Sequence, residues 1–152
     1  MIRLADTSDL GRLTELFMEL HRHHVRIMPE TFTMPERDGF VERVADILSD
    51  VAQRVMVYDS GVIEAYAVIR KIEVDTPDKP PRIVCFIDQF FVLENCRRRG
   101  IGTELFNAIK AFGKEKGCMT VQLGVSAGNA GAVEFYEKMG LRPRTIQMED
   151  KL

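Results

Sequence analysis

The stretch from Ile83 to Leu93 holds nine apolar residues among eleven, broken only by Asp88 and Gln89. A run so short and so rich in aromatic and β-branched side chains reads as a buried β-strand. Directly after it comes Glu94-Asn95-Cys96-Arg97-Arg98-Arg99-Gly100-Ile101-Gly102-Thr103. From Ile101 to Lys116 the spacing of Leu105, Ile109 and Phe112 places apolar residues on one helical face, and Gly117 ends the helix. A buried strand that turns through a short loop into a helix belongs to the α/β class.

The rest of the chain supplies the other elements. Ile2 to Leu4 is a short strand. Thr7-Ser8-Asp9 offers an N-cap to a helix carrying Leu10, Leu13, Phe17 and Leu20. Phe40, Val44, Ile47 and Leu48 make a second helical stripe. Val55 to Tyr58 and Val62 to Val74 are strands joined by the turn Asp59-Ser60-Gly61, a hairpin. Asp75 to Arg82, with Pro77, Pro80 and Pro81, reads as a loop. Met119 to Val125 is a strand, Gly131 to Met139 a helix, and Arg144 to Met148 a final strand. The expected architecture is a mixed central sheet of about six strands flanked by four helices, all in one domain spanning 1–152.

The 152 residues are enough for one buried core, and 45% hydrophobic with 29% charged is ordinary for a soluble protein. The formal net charge of −2 gives no global basic field toward nucleic acid or membrane. No apolar run approaches the roughly 20 residues that span a bilayer, and the first residues lack a signal-peptide core. The expected location is the cytoplasm. Cys85, Cys96 and Cys118 form no C-x-x-C pair and read as reduced thiols. His21, His23 and His24 have no carboxylate or cysteine nearby to complete a set, so no metal site is expected.

The loop before the third helix can hold an anion. The first N–H groups of a helix have no internal partner, and the helix dipole adds partial positive charge there. Gly100 and Gly102 allow a close approach to the backbone, and three arginines precede them. No lysine completes a Walker A loop, and Leu105 stands where a dinucleotide fingerprint needs a small residue. Read alone, the loop fits either a pyrophosphate cradle or a solvated arginine face. A second constellation follows at Asn129-Ala130-Gly131-Ala132-Val133-Glu134-Phe135-Tyr136 and Gly140. On a helix Asn129, Ala132 and Tyr136 share one side, which suits a narrow polar ligand arm. Tyr136 alone fits equally a packed tyrosine with a satisfied hydroxyl.

Arg97-x-x-Gly100-x-Gly102 followed by Asn129-x-x-Ala132-x-x-Phe135-Tyr136 resembles the GNAT superfamily of N-acetyltransferases, along essentially the whole chain. The resemblance implies a sheet splayed between strands four and five. It implies acetyl-CoA as acyl donor, with its pyrophosphate on the amides of Arg98, Arg99, Gly100, Ile101, Gly102 and Thr103. Arg97, Arg98 and Arg99 would add charge. Val92 and Leu93 would pair with the pantetheine arm, and Asn129 would bond it from the other side. Tyr136 would protonate the departing thiolate, a Val92 N–H would meet the oxyanion, and the acceptor would be a primary amine attacking directly. Departures from the family pattern are Glu94 for a proline, Arg98 for a glycine and Gly124 for an asparagine.

Amine attack on a thioester also needs a proton acceptor, because an alkyl ammonium has a pKa of roughly 10. Asp88 is the candidate, either as general base or as a structural carboxylate paired with an arginine. Strand alternation puts Asp88, Phe90 and Val92 on one face and Gln89 and Phe91 on the other. Glu64 and Glu73 are secondary candidates. The acceptor reads as a small molecule, with a protein lysine or N-terminus, or a non-catalytic acetyl-CoA-binding module, as alternatives. A homodimer is left open.

Overall fold

A computed structural model describes residues 1–152. One mixed sheet runs in chain order through β1 (Ile2–Leu4), β2 (Gln53–Asp59), β3 (Ile63–Thr76), β4 (Lys79–Val92) and β5 (Thr120–Leu123). Neighbours are antiparallel except β4 and β5, which are parallel. Four α-helices flank it: α1 (Leu10–Ile27), α2 (Arg37–Ser49), α3 (Ile101–Glu115) and α4 (Ala130–Lys138). No helix is long and apolar enough to cross a membrane.

Period-two alternation in β3 divides the core into two layers. Tyr66 and Val68 face α1 and α2, where Leu13, Leu16, Phe17, Phe40 and Val44 cover them. Ala65, Ala67 and Ile69 face α3, whose Ile101, Leu105, Phe106 and Ile109 recur at helical spacing. Full burial of each such side chain contributes about 1.5–3 kcal/mol. Tyr66 is fully buried, stacks on Phe17 at 4.6 Å and donates its hydroxyl to Gln89 Oε1 at 2.8 Å.

The structure corrects the expected elements in three places. First, Asp75 to Arg82 is not a loop. The β3–β4 hairpin extends through it, with Thr76 opposite Lys79. Its prolines sit beyond the end of the β5 ladder, beside a register shift between Val74 and Thr76. A proline is tolerated on such an unpaired edge because no ladder bond asks for its N–H. Second, Arg144 to Met148 is not a strand. The segment makes no backbone hydrogen bond and is exposed throughout, so it lacks the ladder partner a strand requires, and the sheet has five strands.

The third correction concerns β4. Val68 lies opposite Gln89, but the next β3 residue, Ile69, lies opposite Ile87. Asp88 is therefore an extra residue, a β-bulge. The bulge breaks the alternation: Cys85 and Ile87 face α3, as do Phe90 and Val92 beyond it, whereas Phe91 packs with the α1–α2 layer. Asp88 and Gln89 line the same cleft beneath α2, so Asp88 does not share a face with Phe90 and Val92. The parallel ladder with β5 pairs only Val84–Ile87 with Thr120–Leu123 and stops at the bulge. From there β4 has no partner on its β5 side, which is the expected splay.

Between β4 and α3 the chain makes a 3₁₀ turn at Glu94–Cys96 and then two left-handed steps, at Arg98 (φ 64°) and Gly100 (φ 85°). Glycine adopts this region freely, whereas an L side chain is strained in it.

Two stability changes should follow, both measurable by thermal and urea unfolding. Tyr66→Phe leaves the Gln89 carbonyl without its buried donor and should cost about 1–3 kcal/mol. Arg98→Gly relieves the left-handed strain and should stabilise the protein by about 1 kcal/mol. Arg98→Ala, which keeps the strain, should not.

Candidate active site

The β4–α3 corner is built from unsatisfied backbone. Cys96 N–H donates to the Leu93 carbonyl and Arg97 N–H to that of Glu94, and the next intrachain donor is Glu104 N–H, to Gly100. Between them the amides of Arg98 through Thr103 make no hydrogen bond to backbone or side chain. No side chain caps α3. Six consecutive N–H groups at a helix start form an anion cradle. Gly102 leaves room at its rim: a Cβ there would lie 3.4 Å from the Phe135 ring and 3.6 Å from Val92 Cγ2.

The three arginines do different things. Arg97 folds back and donates Nε to the Val92 carbonyl at 3.1 Å. Arg99 reaches Glu64 Oε1 at 3.2 Å. Arg98 alone makes no side-chain bond within the protein. Glu64 also accepts from Ser60 Oγ at 2.9 Å and from the buried Cys96 thiol at 3.2 Å. These bonds, led by Cys96 and then Ser60, with Arg99 adding to them, hold the Glu64 carboxyl below the usual carboxylate range. Burial, reinforced by Glu64, pushes the Cys96 thiol up. Glu64 thus fastens the corner to β3. The sequence signal for it was a lone carboxylate inside the apolar run Val62 to Ile69.

Leu93 N–H donates to the Glu64 carbonyl at 3.0 Å, toward β3. In a strand successive amides point to opposite sides, so the amide of Val92 points to the open side left by β5. Across that opening stands α4. Asn129 is its N-cap, with Oδ1 accepting from Ala132 N–H at 3.3 Å, while its NH₂ makes no bond within the protein. Tyr136 packs among Phe90, Phe106 and Phe135, with ring centroids 6.1, 6.3 and 5.4 Å away. Its hydroxyl finds no partner in the chain, and burial pushes its pKa up to about 12.

Asp88 is placed elsewhere. Its carboxylate accepts from Arg70 Nε at 2.8 Å, in a cleft shared with Arg43, Asp46, Asp50, Gln53 and Gln89. Tyr136 and Asp88 therefore lie on opposite faces of β4. Glu73 pairs with Lys71 at 2.9 Å on the hairpin. The histidines do not converge. His21 Nε2 bonds the Thr33 carbonyl at 2.6 Å, and Phe32 lies between His21 and His24. Burial lowers the pKa of His23 and His24.

Comparison with known proteins gives concordant results. The family model described as Acetyltransferase (GNAT) family matches residues 17–141. A segment of 65 residues is 38% identical to an uncharacterized N-acetyltransferase, MJ1207, of Methanocaldococcus jannaschii, covering 43% of this chain and 29% of that protein. The chain thus spans under a third of that relative's length. The crystal structure of the tetramutant of BH1408 from Bacillus halodurans superposes with a TM-score of 0.94 at 28% identity, over 100% of this chain and 99% of that one. Aminoglycoside N-acetyltransferase AAC(6')-Iy in complex with CoA shares the fold, with a TM-score of 0.74 at 19% identity over 100% and 95% of the two chains. With its five-stranded mixed sheet and with more than three quarters of its length matched by the family model, the chain belongs to the GNAT family of N-acetyltransferases.

Proposed function

We propose that the protein transfers the acetyl group of acetyl-CoA to the primary amine of a small molecule by direct attack. The observation that carries this reading is the run of six free amides from Arg98 to Thr103, beside the open edge of β4. The amides receive the pyrophosphate, and Arg98, together with Arg97, which bonds only a neutral carbonyl, adds positive charge that no carboxylate cancels. Val92 and Leu93 offer the edge along which the pantetheine arm lies, and the Asn129 NH₂ bonds the arm from α4. Ala132, the small residue on the same side of α4, leaves room for it.

The Val92 N–H meets the carbonyl oxygen as attack loads it with charge, the role of an oxyanion donor. Tyr136, un-ionised up to about pH 12, donates its hydrogen bond to the sulfur as the C–S bond breaks. The proton released by the ammonium leaves through water, and Asp88, which stands paired with Arg70 on the opposite face of β4, is reached by such a relay. The cleft sets Asp46, Asp50 and Asp88 against Arg43 and Arg70, an excess of one negative charge that gives a cationic amine only a slight advantage over a neutral acceptor.

Calorimetric titration with acetyl-CoA tests the binding half. Wild type should bind at micromolar affinity, and Gly102→Trp, checked for folding by its thermal transition, should not. A folded wild type that fails to bind would end this reading. Tyr136→Phe tests the chemical half: kcat for thiol release with an amine library should fall by about 10²–10⁴ while the KM for acetyl-CoA stays near wild type. In wild type kcat should rise with pH as the amine deprotonates, with no falling limb from Tyr136 below about pH 12.

A further inference from the structure

Asp88 and Gln89 are consecutive in sequence yet line one cleft, because the bulge turns both toward α2. A regular strand would send one of them to each face. The ladder to β5 ends at Ile87, so the gap in the sheet opens beside the same two residues. The cleft itself has a volume of about 430 Å³, within the range of small-molecule sites.

Part of the polar lining is already committed. Arg70 pairs with Asp88 and lies 5.3 Å from the centre of the Phe86 ring. Asp50 accepts from Ala52 N–H and from Gln53 Nε2. Arg43 is different. Its guanidinium lines the cleft but pairs with no carboxylate and donates no hydrogen bond within the protein. Its charge acts on the buried Tyr66 phenol and opposes the rise that burial imposes on that group, which places the charge near the cleft floor. Gln89 is the second open group. The hydroxyl proton of fully buried Tyr66 has Gln89 Oε1 as its acceptor and no other. That bond fixes the amide: the oxygen turns to Tyr66, and the NH₂ is left for the cleft without a partner in the protein. Asp88 keeps one oxygen open too, since Arg70 holds Oδ2 and Oδ1 is unbonded.

The open groups call for a ligand of both signs. A guanidinium and an amide NH₂ suit an anion, and the guanidinium fork matches a planar carboxylate. The free Oδ1 of Asp88 suits a cation. Asp88 and Gln89 are chain neighbours, with Cα atoms about 3.8 Å apart, so the two charges of the ligand must also be close. In an α-amino acid a single carbon separates them. We propose that the amine acceptor is an α-amino acid, its carboxylate held by Arg43 and the Gln89 NH₂ and its α-ammonium set beside Asp88. This rests on the acetyl transfer described above and names its substrate class. The ammonium gives a proton to water, and its nitrogen then attacks the thioester carbonyl. The C–N bond forms as the C–S bond breaks, and the sulfur leaves as the thiol of CoA with a proton passed through Tyr136. The product is an N-acetyl amino acid, which keeps its carboxylate and has lost its positive charge.

Thiol release from acetyl-CoA tests this, with each common L-amino acid that bears a primary amine, and the carboxamide of each, as acceptors. At least one amino acid should be acetylated. Its carboxamide keeps the amine and loses only the negative charge, and its kcat/KM should be lower by about 10–100-fold. Arg43→Ala should raise the KM for that amino acid by a similar factor while the KM for acetyl-CoA stays near wild type. Gln89→Glu keeps an acceptor for the Tyr66 hydroxyl, so the thermal transition should hold. It sets a carboxylate against that of the substrate, and the KM for the amino acid should again rise at least about tenfold. A carboxamide used as well as its amino acid, or a KM unmoved in either variant, would overturn the proposal. So would the absence of turnover with every amino acid in protein that binds acetyl-CoA by calorimetry, a result that leaves acetyl transfer to another amine standing. Protein that binds no acetyl-CoA would lose both.

Discussion

At Asp88, β4 carries one residue more than β3 opposite it. A strand with an extra residue bends and twists away from its neighbours. Here the bend falls where the parallel ladder to β5 ends, after Ile87 and Leu123. The same insertion exchanges the faces of everything that follows. Without it Phe90 and Val92 would turn toward α1 and α2, and Phe91 toward α3. Phe90 would then be lost from the aromatic group around Tyr136, and Val92 from the rim of the Gly102 cradle. The gap between β4 and β5 and the residues that line it thus share one origin.

The corner beyond the gap is held rather than merely left open. Six free amides would collapse onto any nearby acceptor if the loop could move. Glu64 prevents this with bonds from Ser60, Cys96 and Arg99 and a backbone bond to Leu93, all from one residue of β3. An arginine run that looks like a uniform positive patch in sequence is therefore divided by geometry. Arg99 is committed to Glu64, Arg97 to the Val92 carbonyl, and Arg98 is left free. The backbone under Arg98 takes a conformation suited to the glycine that the family pattern places there.

Much of this was legible beforehand because it rests on local signals. Helical spacing marked α1 to α4. The loop with Gly100 and Gly102, and Asn129 with Tyr136, were singled out by local pattern, but that pattern left a solvated arginine face and a packed tyrosine equally open, and the resemblance to the GNAT superfamily chose between them; Asn129 serves first as a helix cap. What escaped depends on contacts distant in sequence. A bulge is a mismatch between two strands, and nothing in Ile83 to Leu93 alone marks it. The structural reading of Asp88, a carboxylate paired with an arginine, was one of the two the sequence offered, but its partner Arg70 is fixed only across that same mismatch. Three prolines suggested a loop because their usual conflict with a strand arises only where a ladder bond is required. Burial of Tyr136, too, is set by Phe90, Phe106 and Phe135 together, so its phenol is a weaker acid than its residue type implies.

The brevity of the β4–β5 ladder has a consequence for how the molecule breathes. β2, β3 and β4 are sealed between α3 and the α1–α2 layer, whereas β5 is held by four paired residues and α4 buries no side chain fully. Local opening has a free energy set by the contacts it breaks. The β5–α4 end is therefore the cooperative unit that opens first, at a fraction of the cost of global unfolding. Amides of α4 should exchange with solvent by this local route while those of β3 wait for the whole domain to open. A ligand arm lodged between β4 and α4 would bridge the loose unit to the rigid one. Occupancy of the gap would then register as slowed exchange in α4, well away from the cradle itself.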